Sequence, residues 1–442
     1  MSEQSQPFHL LSKPTGAICN LDCKYCFFLS KEMLYAGDRF RMSDELLETY
    51  IQQLLEAQPL GEVNVAWQGG EPTLMGIDFF RRAIEYVEKY RRPGQVIRHT
   101  MQTNGTLLKD EWAAFFKQHN FLIGLSVDGP KHMHDAYRVS KRGAGSFDQV
   151  MRGHRALRRH DVDVNILCTV HAANGDYPLE VYRFFRDELQ ASYMQFIPIV
   201  ERATDESIAL ANLGWGERPG ADRPLYAQRG GLVTERSVHA EQFGRFLIAI
   251  FDEWVRRDVG RVFVQTFDVA LGNWLGRHSL CIFSPTCGRA LALEHNGDLY
   301  SCDHYVEPEH LLGNISQTPM ARLAASAKQR SFGQAKLESL PQYCRECDVR
   351  FACHGECPRN RFIFTSDGQP ELNYLCAGYK LFFHHIGPAM NTMAGLLRRG
   401  RWADEIMQLY ATRDSSPAPA AYIAQVGVPT HRQSIGRGVP QP

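Results

Sequence analysis

The 442-residue chain has no net charge, because 49 Lys and Arg balance 49 Asp and Glu. That balance gives no electrostatic reason to expect nucleic acid or a membrane surface as a partner. No apolar run approaches the roughly eighteen residues of a membrane-spanning helix. The first residues, "MSEQSQPFHLLSKP", have no apolar stretch of the kind that directs secretion. No internal repeat is visible. "GWGERPG" fails as a dinucleotide fingerprint, since Pro219 stands at the third glycine and no strand precedes it. These absences leave a cytoplasmic protein as the expectation. In that reducing compartment, twelve cysteines point to metal or cluster ligation rather than to disulfides.

What the sequence does have is alternation. Apolar residues make up 44% of it, enough for sizeable cores, and the length suits two or three domains. Strands are expected at "FHLLSKP", 62–68, 96–103, 121–127, 163–170 and 193–199. Helices are expected between them, one opened by Ser43 with Asp44 and Glu45 in its first turn, others at 109–118, 146–159 and 178–189. A long helix at 236–258 carries one apolar stripe. Strand and helix repeated about six times predict an α/β fold with a parallel sheet, left open or curled into a partial (β/α)6 TIM-like barrel. Residues 201–235 read as a long, functional or mobile loop, and the Pro-, Ala- and Gly-rich stretch after Arg413 as a flexible tail. The expected domains are 1–258, a cysteine-rich 259–390, and a C-terminal helix with tail at 391–442.

Sites in parallel α/β folds lie at the carboxyl ends of strands. Those ends carry Cys19, Cys23 and Cys26, then Gln68-Gly69-Gly70-Glu71, then Gln102-Thr103-Asn104. Ser126 and Asp128 follow, then His171 and Asn174, with Gln195 on the sixth strand. The spacing "CNLDCKYC" supplies three thiols and no nearby fourth ligand. A [4Fe–4S] cube needs one ligand per iron, so three thiolates hold it and leave one iron open. A zinc site completed by a distant residue satisfies the same spacing. Downstream lie Cys281, Cys287, Cys302, Cys344, Cys347, Cys353, Cys357 and Cys376, enough for two fully ligated cubes or for zinc ions sharing the thiolates. Cys168, inside "NILCTV", reads as a buried free thiol.

The triplet, with Tyr25 before its third cysteine, and "WQGGEPTL" resemble the radical S-adenosylmethionine (SAM) superfamily. The later cysteines, in the order C-x9-G-x4-C then C-x2-C-x5-C-x3-C and a last Cys376, resemble the SPASM domain of radical SAM enzymes that modify proteins. "QTNGTLL", "SVDGPK", "GDLYSCDHYV", "LGNI" and "LNYLC" fall in the order of anaerobic sulfatase-maturating enzymes, across nearly all of 8–390. The resemblance implies three [4Fe–4S] clusters and SAM. It implies that Cys19, Cys23 and Cys26 hold the SAM cluster, Cys281, Cys287, Cys302 and Cys357 a first auxiliary cluster, and Cys344, Cys347, Cys353 and Cys376 a second. Gly69, Gly70 and Glu71 would contact the SAM amine, Ser126 its ribose and Arg138 its carboxylate, although "DAYRVSKR" otherwise suggests a solvent-facing arginine.

The implied reaction is oxidation of a Cys or Ser in an unfolded or nascent sulfatase to Cα-formylglycine, with a flavodoxin or ferredoxin as electron donor. A radical takes hydrogen from the side-chain Cβ, a base takes a proton, and the second electron leaves through the auxiliary clusters. Asp303, after Cys302, stands at the family's base position, and Gln68 at a substrate-proximal one. The chain departs from the family at Phe27-Phe28, where members can carry a tyrosine second; no hydroxyl is available there to bind substrate. Peptide crosslinking by a SPASM enzyme is the alternative. A leader-binding domain would be expected for it, and strand one begins about ten residues before Cys19. A non-catalytic zinc-rich interaction protein is the third reading.

Overall fold

The computed structural model describes residues 7–217 and 223–411, so the tail expected after Arg413 lies outside the described residues. All six expected strands form: β1 (His9–Lys13), β2 (Gly61–Trp67), β3 (Gln95–Thr103), β4 (Phe121–Ser126), β5 (Asp163–Val170) and β6 (Tyr193–Pro198). They lie side by side in chain order, each neighbouring pair parallel. Parallel pairing requires crossovers. These contain α1 (Asp44–Ala57), α2 (Ile77–Tyr90), α3 (Asp110–Gln118), α4 (Lys131–Tyr137), α5 (Phe147–Arg159) and α6 (Pro178–Arg183).

Helix α1 shows the local logic. Ser43 Oγ accepts the Leu46 N–H, Asp44 and Glu45 occupy the positive first turn, and Leu47, Ile51, Leu54 and Leu55 are fully buried. Burying each such side chain stabilises by about 1.5–3 kcal/mol. Leu54→Ala, which also leaves a cavity, would cost about 2–5 kcal/mol. Helix α6 is shorter than the expected 178–189 because the chain widens into a π-turn at Phe184–Glu188, which buries Phe184 and Phe185 together.

The cysteine-rich half joins the same sheet. Ala290–Glu294 pairs in parallel with β1, and Asp298–Tyr300 and Leu311–Asn314 extend that edge antiparallel. Helices Ala240–Arg257 and Cys376–Arg398 meet almost backbone to backbone. A Cβ on Gly378 would lie 1.9 Å from the Ala240 carbonyl oxygen, so only glycine fits there. Helix Cys376–Arg398 runs through residue 390, where a domain boundary was expected.

Within 201–235, the described residues are more ordered than expected. Arg202–Ala203 pairs with Leu232–Val233, and Ile208–Leu213 is helical. The buried Glu201 carboxylate gathers the segment, accepting from Arg236 Nη2 (3.0 Å), Thr234 Oγ1 (2.7 Å) and the Trp215 indole. Among the described residues no helix is long and apolar enough to cross a membrane.

Candidate active site

The loop after β1 is held by backbone hydrogen bonds to its neighbours and within itself. Asp22 N donates to Val139 O (2.8 Å), Lys24 N to Tyr137 O (3.0 Å) and Cys26 N to Cys23 O (2.9 Å). The loop after β2 is laced to it, since Gly70 N donates to Gly16 O (2.8 Å) and Glu71 N to Ile18 O (2.9 Å). A Cβ on Gly70 would lie 2.0 Å from the Ile18 oxygen, which explains the glycine.

Glu71 points away from solvent and is fully buried. Its Oε1 accepts from Thr73 N (3.0 Å), Thr73 Oγ1 (2.6 Å) and Thr103 Oγ1 (2.8 Å), and its Oε2 from Asn104 N (2.8 Å). Burial pushes its carboxyl pKa up, and the hydrogen bonds pull it only part of the way back. Asn104 Nδ2 lies 3.6 Å from Cys19 Sγ. The ends of β2 and β3 therefore brace the first thiol.

Asp128 braces the other side of the loop. It is wholly buried, accepts from Tyr25 Oη (2.6 Å) and Thr169 N (2.9 Å), and pairs with Arg138 through Nε (2.8 Å) and Nη2 (3.0 Å). Burial opposes its charge, but Arg138 and His171 outweigh burial and hold the carboxyl well below its ordinary value. Arg138 is thus buried rather than solvent-facing, and Nη1 is its one terminal nitrogen outside the pair. Ser126 is buried at the carboxyl end of β4.

The expected base and the expected substrate-proximal glutamine meet: Gln68 Nε2 donates to Asp303 Oδ2 at 3.3 Å. Lys13, at the end of β1, lies 2.5 Å from Asp303 Oδ1 and 3.8 Å from Glu294 Oε1. Its Nζ also stands 3.5 Å over the Phe28 ring. The Lys13–Asp303 contact is close but poorly aligned, so neither atom counts as hydrogen-bonded. Burial would raise the Asp303 carboxyl, but Lys13, His304 and Arg359 together bring it below its ordinary value. His304 is pushed down to about 3 by burial and by Arg359, whose Nη1 lies 3.0 Å from its Nδ1. Phe27 packs on Tyr226 and His304.

Burial raises the thiol pKa values, and neighbouring cysteines add to the rise. Cys23 feels Cys26 and Cys19. Cys302 feels Cys357 and Cys281, and Cys287 feels Cys281. Cys376 feels Cys353, Cys344 and Cys347. Among the described residues no three Cys, His, Asp or Glu converge as they would on one ion. Thiolates on a single zinc share a centre about 2.3 Å from each sulfur, whereas a cube gives each its own iron.

Residues 14–185 match the model of the radical SAM superfamily, and 281–348 that of an iron–sulfur cluster-binding domain, SPASM. The chain is 44% identical to a serine-type anaerobic sulfatase-maturating enzyme of Bacteroides thetaiotaomicron, over 93% of this chain and 97% of that one. This chain belongs to the anaerobic sulfatase-maturating enzymes. A cysteine-type member from Clostridium perfringens is 32% identical over 89% of this chain and 100% of its own. The solved structure of native anSMEcpe with bound AdoMet superposes with a TM-score of 0.74 at 31% identity, covering 88% of this chain and 100% of that one. As a member of this family the chain carries SAM and three [4Fe–4S] clusters.

Sequence reasoning missed Lys13, Glu294 and Arg359. A lysine at a strand end reads as a solvated charge, and only the register Lys13↔Glu294 sets it beside a second buried ion. Arg359, two residues after Cys357, carried a weak positional signal.

Proposed function

We propose that this maturase oxidises a serine or cysteine of an unfolded or nascent sulfatase polypeptide to Cα-formylglycine in the cytoplasm, in the absence of oxygen. The observation that carries the reading is the convergence of Gln68 and Lys13 on Asp303, beside a loop that offers three thiols. Cys19, Cys23 and Cys26 would hold the SAM cluster, Cys281, Cys287, Cys302 and Cys357 the first auxiliary cluster, and Cys344, Cys347, Cys353 and Cys376 the second. Bound there, SAM and the cluster would supply the chemistry that removes a hydrogen atom from the substrate Cβ.

Gly70 and Glu71 donate their N–H groups to the cluster loop, and the Glu71 carbonyl accepts from Leu74 N and Thr15 Oγ1, so a SAM amine, itself a donor, would be met by the carbonyl oxygens of Gly69 and Gly70. Ser126 would serve the ribose. Arg138 offers Nη1 to the carboxylate while its other nitrogens anchor Asp128. Asp303, ionised, takes the proton of the substrate hydroxyl or thiol, with Gln68 fixing the carboxylate's rotation. A flavodoxin or ferredoxin would serve as electron partner.

The test incubates reduced enzyme and SAM with peptides carrying a Ser- or Cys-x-Pro/Ala-x-Arg core. Formylglycine forming in step with 5′-deoxyadenosine is the expected result. Deoxyadenosine accompanied by a crosslinked peptide, and no formylglycine from either core, would overturn it.

A further inference from the structure

Helix Ala327–Glu338 buries three residues, Gln329, Gly333 and Lys336, and none of them carries an apolar side chain. A helix normally turns an apolar stripe to the interior, so this face serves something other than a hydrophobic core. Each of the three meets a loop that carries a cysteine. Gln329 Nε2 donates to Gly288 O (2.8 Å) and Ser301 O (3.0 Å), the neighbours of Cys287 and Cys302. At Gly333 the helix comes to backbone distance of Cys287. Cys287 N donates to Gly333 O (3.2 Å), and a Cβ on Gly333 would lie 2.5 Å from Cys287 O. Lys336 Nζ donates to Cys281 O (2.5 Å) and Ile282 O (2.8 Å). Arg361 adds the fourth loop. Its Nη1 donates to Lys336 O (2.6 Å), its Nε to Gly355 O (2.9 Å), and its Nη2 to His354 O (2.9 Å) and Glu356 O (3.1 Å), in the three residues before Cys357. One helix and one arginine thus bracket the loops of Cys281, Cys287, Cys302 and Cys357.

Two cations are buried here without an acid. Lys336 is 1% and Arg361 3% exposed, and among the described residues no carboxylate stands within ion-pair distance of either. The buried Glu356 carboxylate instead accepts from the side-chain amides of Asn360 (3.1 Å) and Asn373 (2.6 Å). Arginine keeps its charge in any protein environment, and a buried charge without a counter-charge is costly. Backbone carbonyls offer partial charges only. The residues therefore suit an anion held by these four loops. A cube closed by four thiolates is such an anion, and reduction makes it more negative.

We propose that Lys336 and Arg361 are the fixed counter-charges of the first auxiliary cluster and raise its reduction potential. The proposal rests on the assignment of Cys281, Cys287, Cys302 and Cys357 to that cluster. Net charge and surroundings set the potential of an iron–sulfur cluster, and two fixed positive charges favour the state with the extra electron. Oxidation of the substrate to formylglycine removes one hydrogen atom, one proton and one electron. That electron adds to the cube without forming or breaking a bond at either cation. Lys336 and Arg361 are positioning residues in this sense: they touch no substrate and act through the cluster.

The test is a potentiometric titration followed by electron paramagnetic resonance on reconstituted, full-length enzyme, with iron counted in the same samples. Lys336→Gln removes the charge and keeps a donor for the two carbonyls; Arg361→Gln removes the second charge. Each is expected to keep about twelve irons. Each should make one cube at least ten-fold harder to reduce, a fall of about 59 mV in its midpoint, while the other two midpoints stay in place. Lys336→Arg, which keeps the charge, should hold the wild-type midpoint. Unmoved midpoints in both glutamine variants with all irons bound would overturn the proposal. So would loss of about four irons from Lys336→Gln, because the residue would then clamp the Cys281 loop rather than tune its cluster. Cys281→Ala run alongside should lose about four irons and the same signal that Lys336→Gln shifts. If Cys281→Ala keeps all its irons, the ligand assignment fails and the proposal with it. If it loses them while Lys336→Gln moves nothing, the proposal fails alone.

Discussion

Lys13 Nζ lies 2.5 Å from Asp303 Oδ1, and the two side chains belong to opposite halves of the chain. One sits at the end of the first strand and the other follows a cysteine of the SPASM region. Glu294, opposite Lys13 in the parallel register, holds the ammonium from its far side. The site therefore exists only when the two halves share one sheet.

Replacing Asp303 by Asn keeps the shape and removes the proton acceptor. General bases contribute roughly 10²–10⁴-fold. Formylglycine should fall by about that factor while 5′-deoxyadenosine stays within about two-fold of wild type. Chromatography of the nucleoside and mass analysis of the peptide in the same quenched samples measure both. Parallel loss of both products would show that Asp303 supports SAM binding instead.

Lys13→Met should uncouple the same two products more mildly, because the base remains but its partner is gone. Removing one member of a buried ion pair leaves the other uncompensated, at a cost of about 3–5 kcal/mol. A drop of the melting temperature together with a raised ratio of deoxyadenosine to formylglycine is expected. A normal ratio in a destabilised protein would reduce Lys13 to a structural role.

Much of this was legible beforehand because strand ends concentrate polar residues. β1 to β6 are short apolar, aromatic or β-branched runs bounded by turn residues, and Gln68, Glu71, Asn104, Ser126 and Asp128 all stand at strand ends, where parallel folds place their sites. The partition of eight cysteines came from the family pattern and not from their spacing. Illegible were contacts that depend on long-range register. Lys13 met Glu294 only through β1 pairing with Ala290–Glu294. Arg138 looked solvated in "DAYRVSKR" because its neighbours are polar, yet it turns inward to Asp128. Glu201 ordered a segment that has no periodicity to betray it.

Gly70→Ala should damage the SAM site through the backbone. The added Cβ would meet the Ile18 carbonyl oxygen at 2.0 Å and push the two loops apart. At least ten-fold weaker SAM binding is expected, measured by equilibrium titration of reconstituted enzyme. Gly387→Ala is the matched control. It lies in helix Cys376–Arg398 with nothing near its would-be Cβ, and alanine is better there by about 1 kcal/mol.

Cluster loading separates the three thiol sets. With four irons in each of three cubes, the intact enzyme should bind about twelve irons. Cys23→Ala should lose about four irons and all deoxyadenosine. Cys347→Ala should also lose about four irons yet still cleave SAM, because the first loop is untouched. Loss of SAM cleavage in the second variant would place Cys347 in the wrong set.

Acidification should weaken the radical SAM half through its buried histidines. His134 is fully buried, shares a hydrogen bond with Ser146 Oγ (3.0 Å) and accepts from Asp128 N (3.4 Å). Burial pushes its pKa down to about 3, and burial with neighbouring arginines pushes that of buried His154 down to about 4. In the unfolded chain both would titrate near about 6.5. A depressed folded value means that unfolding takes up protons below that pH, so the stability is complete above about 6.5 and declines as pH falls. The decline is about 1.4 kcal/mol per histidine for each pH unit below the unfolded value, until the folded value is reached. His134→Gln has no proton to take up at this position. Its melting temperature should be lower than wild type at pH about 7.5, and the gap should narrow at about 5.5. A gap that stays constant between the two would mean that His134 is protonated alike in both states.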